Sequence, residues 1–385
     1  MTSGGIVKRR PLVALIGLLA AFSLIAAACG EDDDASDSGA PAPAASEPAE
    51  STDDGQDDPV LNPLDANGDG EVILGIAAAG PRDDGAYYQT LINDMQIIAD
   101  REGWGEIIII DEIKPAVAQT EIQNLIAQNV DIIAVGSGEI ADPLADLSAA
   151  NPDLFWFCAC GTGYPQTPGV ALAADDGSEI NYVAGVATAL VLQETGGDTV
   201  AMIGCCGVNF ELESELAFRM GLQSVDPSFD VTYTPTGNFP FDFDNVAGAT
   251  EAFNIAVDAG ADAFYPYLGG AHEAVVQLAN EAGLPVLSAG ASDVCDRPGD
   301  LSWDVAVKFA PGDYARAAFN EIIAGDLDEG TIRLFSVGVD EEAGAAICGA
   351  TAGQQEILDQ AHADVATGMF AEAFGAIKGQ AYGGG

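Results

Sequence analysis

The strongest constraint in this chain is an alternation. From Glu71 onward, short apolar runs of strand length are separated by longer stretches with helical periodicity. Residues 72–78, 107–111, 131–136 and 154–158 carry few polar residues, as expected of strands covered on both faces. Between the first two runs, Tyr88, Leu91, Ile92, Met95, Ile98 and Ala99 fall on one face of a helix. The pattern then restarts. A long helix predicted over 178–193 leads into apolar runs at 199–203, 230–234, 261–265 and 285–289, again with helices between. Repeated β-α units predict a doubly wound parallel sheet, and two such sets predict an α/β chain of two lobes. Segments 302–309 and 332–339 come late enough to be return crossings between the lobes. Multiple crossings make a hinge, and ligands bind where the C-terminal ends of both sets of strands face each other.

The segments before this body have a different chemistry. Lys8, Arg9 and Arg10 form a basic start, residues 11–28 are almost wholly apolar, and Ala26, Ala27 and Ala28 stand directly before Cys29. This run is short for a membrane span and has the layout of an export signal. Its end resembles a bacterial lipobox, which implies a signal peptide over 1–28 and a diacylglyceryl group on the Cys29 thiol. Residues 30–59 are Asp, Glu, Ser, Ala and Pro with little that a core can use, so 29–70 is expected to be a disordered acidic tether. The stretch Asp65-Ala66-Asn67-Gly68-Asp69-Gly70 opens like a calcium loop, but its twelfth position is Ile76, inside a predicted strand. A polar turn is expected there, and no metal. The 61 acidic residues against 12 basic ones give a net charge of −49. Such a charge repels nucleic acid and anionic membrane surfaces and keeps a protein soluble in salt.

Within the body, seven short motifs occur in a telling order. Asp84-Gly85-Ala86-Tyr87-Tyr88-Gln89 follows the first strand, and Asn151-Pro152-Asp153 precedes Phe155-Trp156-Phe157. Tyr182-Val183-Ala184-Gly185-Val186-Ala187 lies on the long helix, followed by Phe218 with Gly221, Gly260-Ala261-Asp262, and Leu268-Gly269-Gly270. The strand from Ser302 to Lys308 completes the set. Together they resemble the basic membrane protein (BMP) group of purine-nucleoside-binding lipoproteins, the receptors of ABC importers, from about Val72 to beyond Gly338. The resemblance implies a type I periplasmic-binding-protein-like fold and a monomer that delivers a small solute, a nucleoside, to a membrane permease. It places the N-terminal lobe at 71–176 plus about 310–326, the C-terminal lobe at 177–303 plus about 331–375, and a flexible tail at 376–385. Two acidic positions of the family are missing. Ala289-Gly290-Ala291-Ser292-Asp293 stands where the ribose-gripping aspartate is expected, and the Cys158-Ala159-Cys160 region replaces another. Another ring-bearing solute such as riboflavin, or a sensing role, therefore stays open.

The expected ligand contacts follow from these motifs. Tyr87 would stack on a flat ring at a helix start, and Phe241 with Asp242 would offer a second aromatic and an acid, with Phe239 or Phe243 as alternatives in register. Lys308 is one of nine basic residues beyond the leader (12 − 3) and lies in an apolar strand, so ligand hydroxyls with Asp293 or Asp84 are its expected partners. Beyond Cys29 there are Cys158, Cys160, Cys205, Cys206, Cys295 and Cys348. An even count in an exported chain points to disulfides, and bonds within each lobe are expected because a bridge across the cleft would block closure. The spacings are not those of a zinc site. Only His272 and His362 exist, and no nucleophile elbow, phosphate loop or dinucleotide fingerprint occurs, so neither catalysis nor a cofactor is expected. If Cys29 carries the anchor, a Cys29→Ser variant loses its lipid and leaves the membrane fraction, as detergent partition and intact mass will report.

Overall fold

A computed structural model describes residues 62–237 and 241–383. The leader over 1–28, Cys29, most of the acidic tether and Phe239 lie outside the described residues. Residues 62–70, expected to belong to the tether, are part of the folded body. Leu64 is buried, and the Asp65 carboxylate accepts bonds from the amides of Gly68 (2.7 Å) and Gly70 (2.8 Å). Asp131 ties this turn to the body, accepting from Ala66 at 3.0 Å and Ile73 at 2.8 Å. The motif with a calcium-like opening is thus a turn whose carboxylates hold backbone amides.

The first lobe begins with β1 (Leu74–Ala77), α1 (Tyr87–Glu102), β2 (Ile108–Ile110), α2 (Ala118–Ile126), β3 (Ile132–Val135), α3 (Leu144–Ala150), β4 (Phe155–Ala159) and β5 (Ala171–Asp175). The second follows with α4 (Gly177–Thr195), β6 (Thr199–Gly204), α5 (Asn209–Val225), β7 (Asp230–Pro235), α6 (Val246–Asp258), β8 (Ala263–Pro266), α7 (His272–Ala282) and β9 (Val305–Lys308). The chain then passes through α8 (Pro311–Ala324), β10 (Ile332–Phe335), β11 (Gly344–Ile347), α9 (Ala352–Ala366) and α10 (Ala371–Tyr382). The first sheet has the order β10-β5-β4-β3-β1-β2, with every neighbouring pair parallel. The second runs β7-β6-β8 in parallel and is carried through single bridges at Val286 and Leu287 to β9, which pairs antiparallel with β11. This is the α/β, two-lobed architecture that the alternation predicts, and it agrees with the periplasmic-binding-protein-like fold that the resemblance implies.

The backbone crosses between the lobes three times among the described residues: from β5 into α4, from β9 into α8, and from β10 to β11. Two expectations need correction. Residues 332–335 belong to the first lobe's sheet, paired with β5, whereas the C-terminal lobe was expected to resume at about 331. This strand lies at a sheet edge with Ile332 and Leu334 exposed, so its sequence does not say which sheet it joins. Residues 376–382 are the end of a helix that packs on α4 and α5, not a flexible tail. Lys378 pairs with Asp176, and the Tyr382 hydroxyl donates to Glu213 at 2.8 Å.

The centre of the second lobe is α4, which is buried continuously from Ile180 to Leu192. A helix apolar on all sides has to be surrounded, and α5, α9, β9 and β11 surround it. Glycine sets how near α5 comes. A Cβ at Gly185 would lie 2.2 Å from the Phe218 carbonyl oxygen, and one at Gly221 would lie 2.0 Å from that of Tyr182. These are backbone atoms that no rotamer change can move. Gly185→Ala is therefore expected to lower stability by about 2 kcal/mol or more. Gly375→Ala, exposed in α10 with nothing near its added carbon, is expected to be neutral or to stabilise by up to about 1 kcal/mol. Urea melts of the two variants will check the contrast.

Candidate ligand-binding cleft

The C-terminal ends of both sheets open onto one cavity of about 300 Å³. The first lobe supplies Tyr87 and Tyr88 from the start of α1, Glu139 from the turn after β3, Thr162 and Tyr164 from the loop after β4, and Asp175 from the end of β5. Phe210, Phe241, Phe243 and Tyr267 come from the second lobe, and Phe309 and Tyr314 from the second crossing. The rings form a nearly continuous wall. Phe241 stacks near Phe243 (6.4 Å between centroids), Phe243 near Phe210 (6.2 Å), and Tyr267 near Phe309 (5.5 Å). On the other side Tyr87 meets Tyr88 edge-on at 5.2 Å, and the Tyr87 hydroxyl donates to the Ala159 carbonyl at 3.3 Å. Phe241 holds a left-handed backbone with φ of 60°, which a side chain adopts only at a cost.

The lobes touch at the mouth of this cavity. Arg297 of the second lobe donates to the Gly85 carbonyl of the first at 2.7 Å, and it is held by Asp293 at 2.6 Å. A Cβ on Gly85 would fall 2.4 Å from the Glu273 carboxylate, and Gly85 has φ of 72°, so this close approach calls for glycine.

Of the six residues expected to meet the ligand, Tyr87 and Phe241 line the cavity and the other four do not. Asp84 is buried under the start of α1, where it accepts from the amides of Ala86 (2.9 Å), Tyr88 (3.1 Å) and Gln89 (3.0 Å). Its carboxyl is raised, chiefly by burial and against the pull of those amides, so it serves the helix rather than a ligand. Asp242 accepts from the Asn245 amide at 2.7 Å, ahead of α6. Asp293 is spent on Arg297. Lys308 ends β9 and reaches away from the cavity, donating to the Glu341 carbonyl at 3.2 Å, while its neighbour Phe309 takes the inward place. An apolar strand gave the lysine the look of a buried group, but it is the last residue of that strand and its stem can leave.

Sequence reasoning missed the two acids that do line the cavity. Glu139 follows β3 and Asp175 closes β5, both half-buried. Burial pushes Glu139 up to about 7, helped by Asp244, while the Tyr88 hydroxyl at 3.5 Å and Lys114 pull the other way. Burial also pushes Asp175 up to about 7, with Asp176 and Glu213 adding to it and the Tyr314 hydroxyl at 3.4 Å opposing. An acid at a strand's C-terminal end was the signal available, because that is where such folds bind. His272 is fully buried beside Trp303 and off the cavity, held neutral because burial lowers it to about 4. The cysteines pair as Cys158–Cys160 in the first lobe and as Cys205–Cys206 and Cys295–Cys348 in the second. None of these bonds crosses the cleft. Glu211, beside Cys205 and Cys206, accepts from the amides of Cys205 (2.6 Å), Gly207 (2.7 Å) and Val208 (3.1 Å) and from the Tyr233 hydroxyl (2.9 Å).

Solved structures share this fold at low identity. The chain is similar to an ABC transporter solute-binding protein from Conexibacter woesei, with 18% identity and a TM-score of 0.58 over 77% of this chain and 97% of that one. A second, from Aeropyrum pernix, gives 13% identity and a TM-score of 0.60 over 81% and 92%. A transcriptional activator of the comK gene from Bacillus halodurans is as near, at 16% and 0.58 over 77% and 96%, so these likenesses speak for the fold alone. Among curated proteins none matches the chain. The family model described as ABC transporter substrate-binding protein, PnrA-like, matches residues 72–298, more than half of the sequence. That span holds the cavity's walls from Tyr87 through Gly290, and the chain belongs to the PnrA-like family of ABC transporter substrate-binding proteins.

Proposed function

We propose that this protein is a lipid-anchored receptor that closes on a nucleoside and passes it to an ABC permease. Proteins of its family bind small ligands outside the cytoplasm and meet a membrane permease. No helix of the described residues is long and apolar enough to cross a membrane, and in this reading the anchor is the lipid on Cys29. The observation that carries the nucleoside reading is the aromatic cavity. Rings from both lobes, Tyr87 on one side and Phe241, Phe243 and Tyr267 on the other, offer two faces for a flat base. Polar groups at the strand ends are left for the sugar: Ser137, Thr162 and Asp175 line the same space. A cavity of about 300 Å³ suits a solute of one base and one sugar. Micromolar affinity requires about 8 kcal/mol, and stacking contributes about 1–3 kcal/mol per base.

Closure follows from the hinge. The contact of Arg297 with Gly85 forms only when the lobes meet, and it helps hold the cavity shut over its ligand. The carry-over of a sugar-binding role to Lys308 and Asp293 is dropped, because both side chains have other partners. Calorimetry with adenosine, guanosine, inosine and riboflavin tests the reading. Tyr87→Ala is expected to weaken nucleoside binding by about tenfold or more. Lys308→Ala is expected to change it by less than about twofold, since its ammonium lies on the Glu341 carbonyl. Tight binding of an aliphatic solute, with no nucleoside bound, would refute the proposal.

A further inference from the structure

The cavity holds two carboxylates and no opposite charge. Among the described residues, which include all nine basic side chains beyond the leader (12 − 3), no lysine or arginine lines it. Three of them are engaged elsewhere: Arg297 with Asp293 and the Gly85 carbonyl, Lys308 with the Glu341 carbonyl, Lys378 with Asp176. Around Glu139 the facing groups are the Tyr88 hydroxyl, Asp244 across the cleft and the more distant Lys114. Around Asp175 they are Asp176, Glu213 and the hydroxyls of Tyr314, Tyr87, Tyr265 and Tyr267. Nine aromatic side chains line the same cavity among the described residues. Ring faces carry the negative side of a quadrupole and attract cations, more strongly once water is expelled. A half-buried carboxylate among such rings lacks a counter-charge that a ligand can bring.

We propose that the cleft selects a cationic ring-bearing solute, with Glu139 and Asp175 as its counter-charges, and rejects anionic relatives such as nucleotides. The inference rests on the reading of this cleft as a ring-binding site and narrows the class of ring it takes. It also has a pH signature. Burial holds both carboxyls at about 7, so near neutrality each carries a proton part of the time. A bound cation favours the ionised form and releases that proton. Affinity for a cation is therefore full above about pH 7 and falls as pH drops through that value, when both acids become neutral.

Near-isosteric probes separate charge from shape. Adenosine is neutral, 1-methyladenosine carries a positive charge on its base near neutral pH, and adenosine monophosphate is anionic. Calorimetry on the full-length protein just above neutral pH is expected to give 1-methyladenosine at least about tenfold tighter than adenosine, and the monophosphate at least about tenfold weaker. Repeating the titration in buffers of different ionisation enthalpy should reveal protons released by the cation and fewer by adenosine, a readout that needs no variant. In Glu139→Gln and Asp175→Asn, each checked for a cooperative melting transition, the preference for the cation should shrink toward one. Adenosine binding as tightly as its methylated cation, or more tightly, overturns this proposal and leaves the nucleoside reading standing. If neither nucleoside binds but thiamine, a cationic ring without ribose, does, the nucleoside reading fails and cation selection holds. Binding of none of the three sinks both.

Discussion

The structure depends on where its backbone crosses between the two sheets. Two of the three crossings run directly along the cavity. The first leaves β5 at Asp175 and enters α4 at Gly177, and the second leaves β9 through Phe309 and enters α8 before Tyr314. Each of these four residues lines the cavity, so the hinge and the binding wall are the same segments. In the proposed function, a ligand that touches them acts on the torsions that open and close the lobes. Binding and closure are thereby coupled by covalent continuity, without any relay through the cores.

Those hinge segments are anchored by rigid bodies on either side. In the second lobe the anchor is α4, buried along most of its length and drawn against α5 through Gly185 and Gly221. Its first turn is capped by Asp176, which accepts from Ser178 at 3.1 Å and Glu179 at 3.2 Å and also holds Lys378 of the last helix. In the first lobe α1 is started by Asp84, and the same turn presents Tyr87 to the cavity and Gly85 to Arg297. One buried carboxylate therefore fixes a helix start, a ring of the cavity wall and a contact between lobes. The aromatic wall in turn excludes water around Glu139 and Asp175, and that loss of hydration raises both acids toward neutrality.

Much of the fold was legible because its signals are local. Strands buried on both faces leave uninterrupted apolar runs, and β1, β3 and β4 fall where those runs lie. Short β10 and the bridge at Val286 and Leu287 were harder. Their lengths and exposures carry no periodicity, and β10 finds its sheet only through β5, some 160 residues earlier, by register of Ile332 with Leu172. A flexible tail was expected from residue 376, where α10 continues to Tyr382. Its order comes from contacts with α4 and α5 and from the Tyr382 bond to Glu213.

The amino-acid sequence by itself determined the doubled α/β plan, the family, and two aromatic positions of the cleft, Tyr87 and Phe241. Each of these is carried by composition, periodicity or a short motif that neighbouring residues complete. Only the tertiary structure decided which polar groups face the cavity. Asp84, Asp293 and Lys308 have the right chemistry, but their charges are met by helix amides, by Arg297 and by a carbonyl. Glu139 and Asp175 carried only one local sign, a place at or just after a strand's C-terminal end; their place in the cavity arises from strand ends that meet across two lobes and from burial that removes their water. Side-chain direction and desolvation are properties of the assembled surface, and no window of sequence contains them.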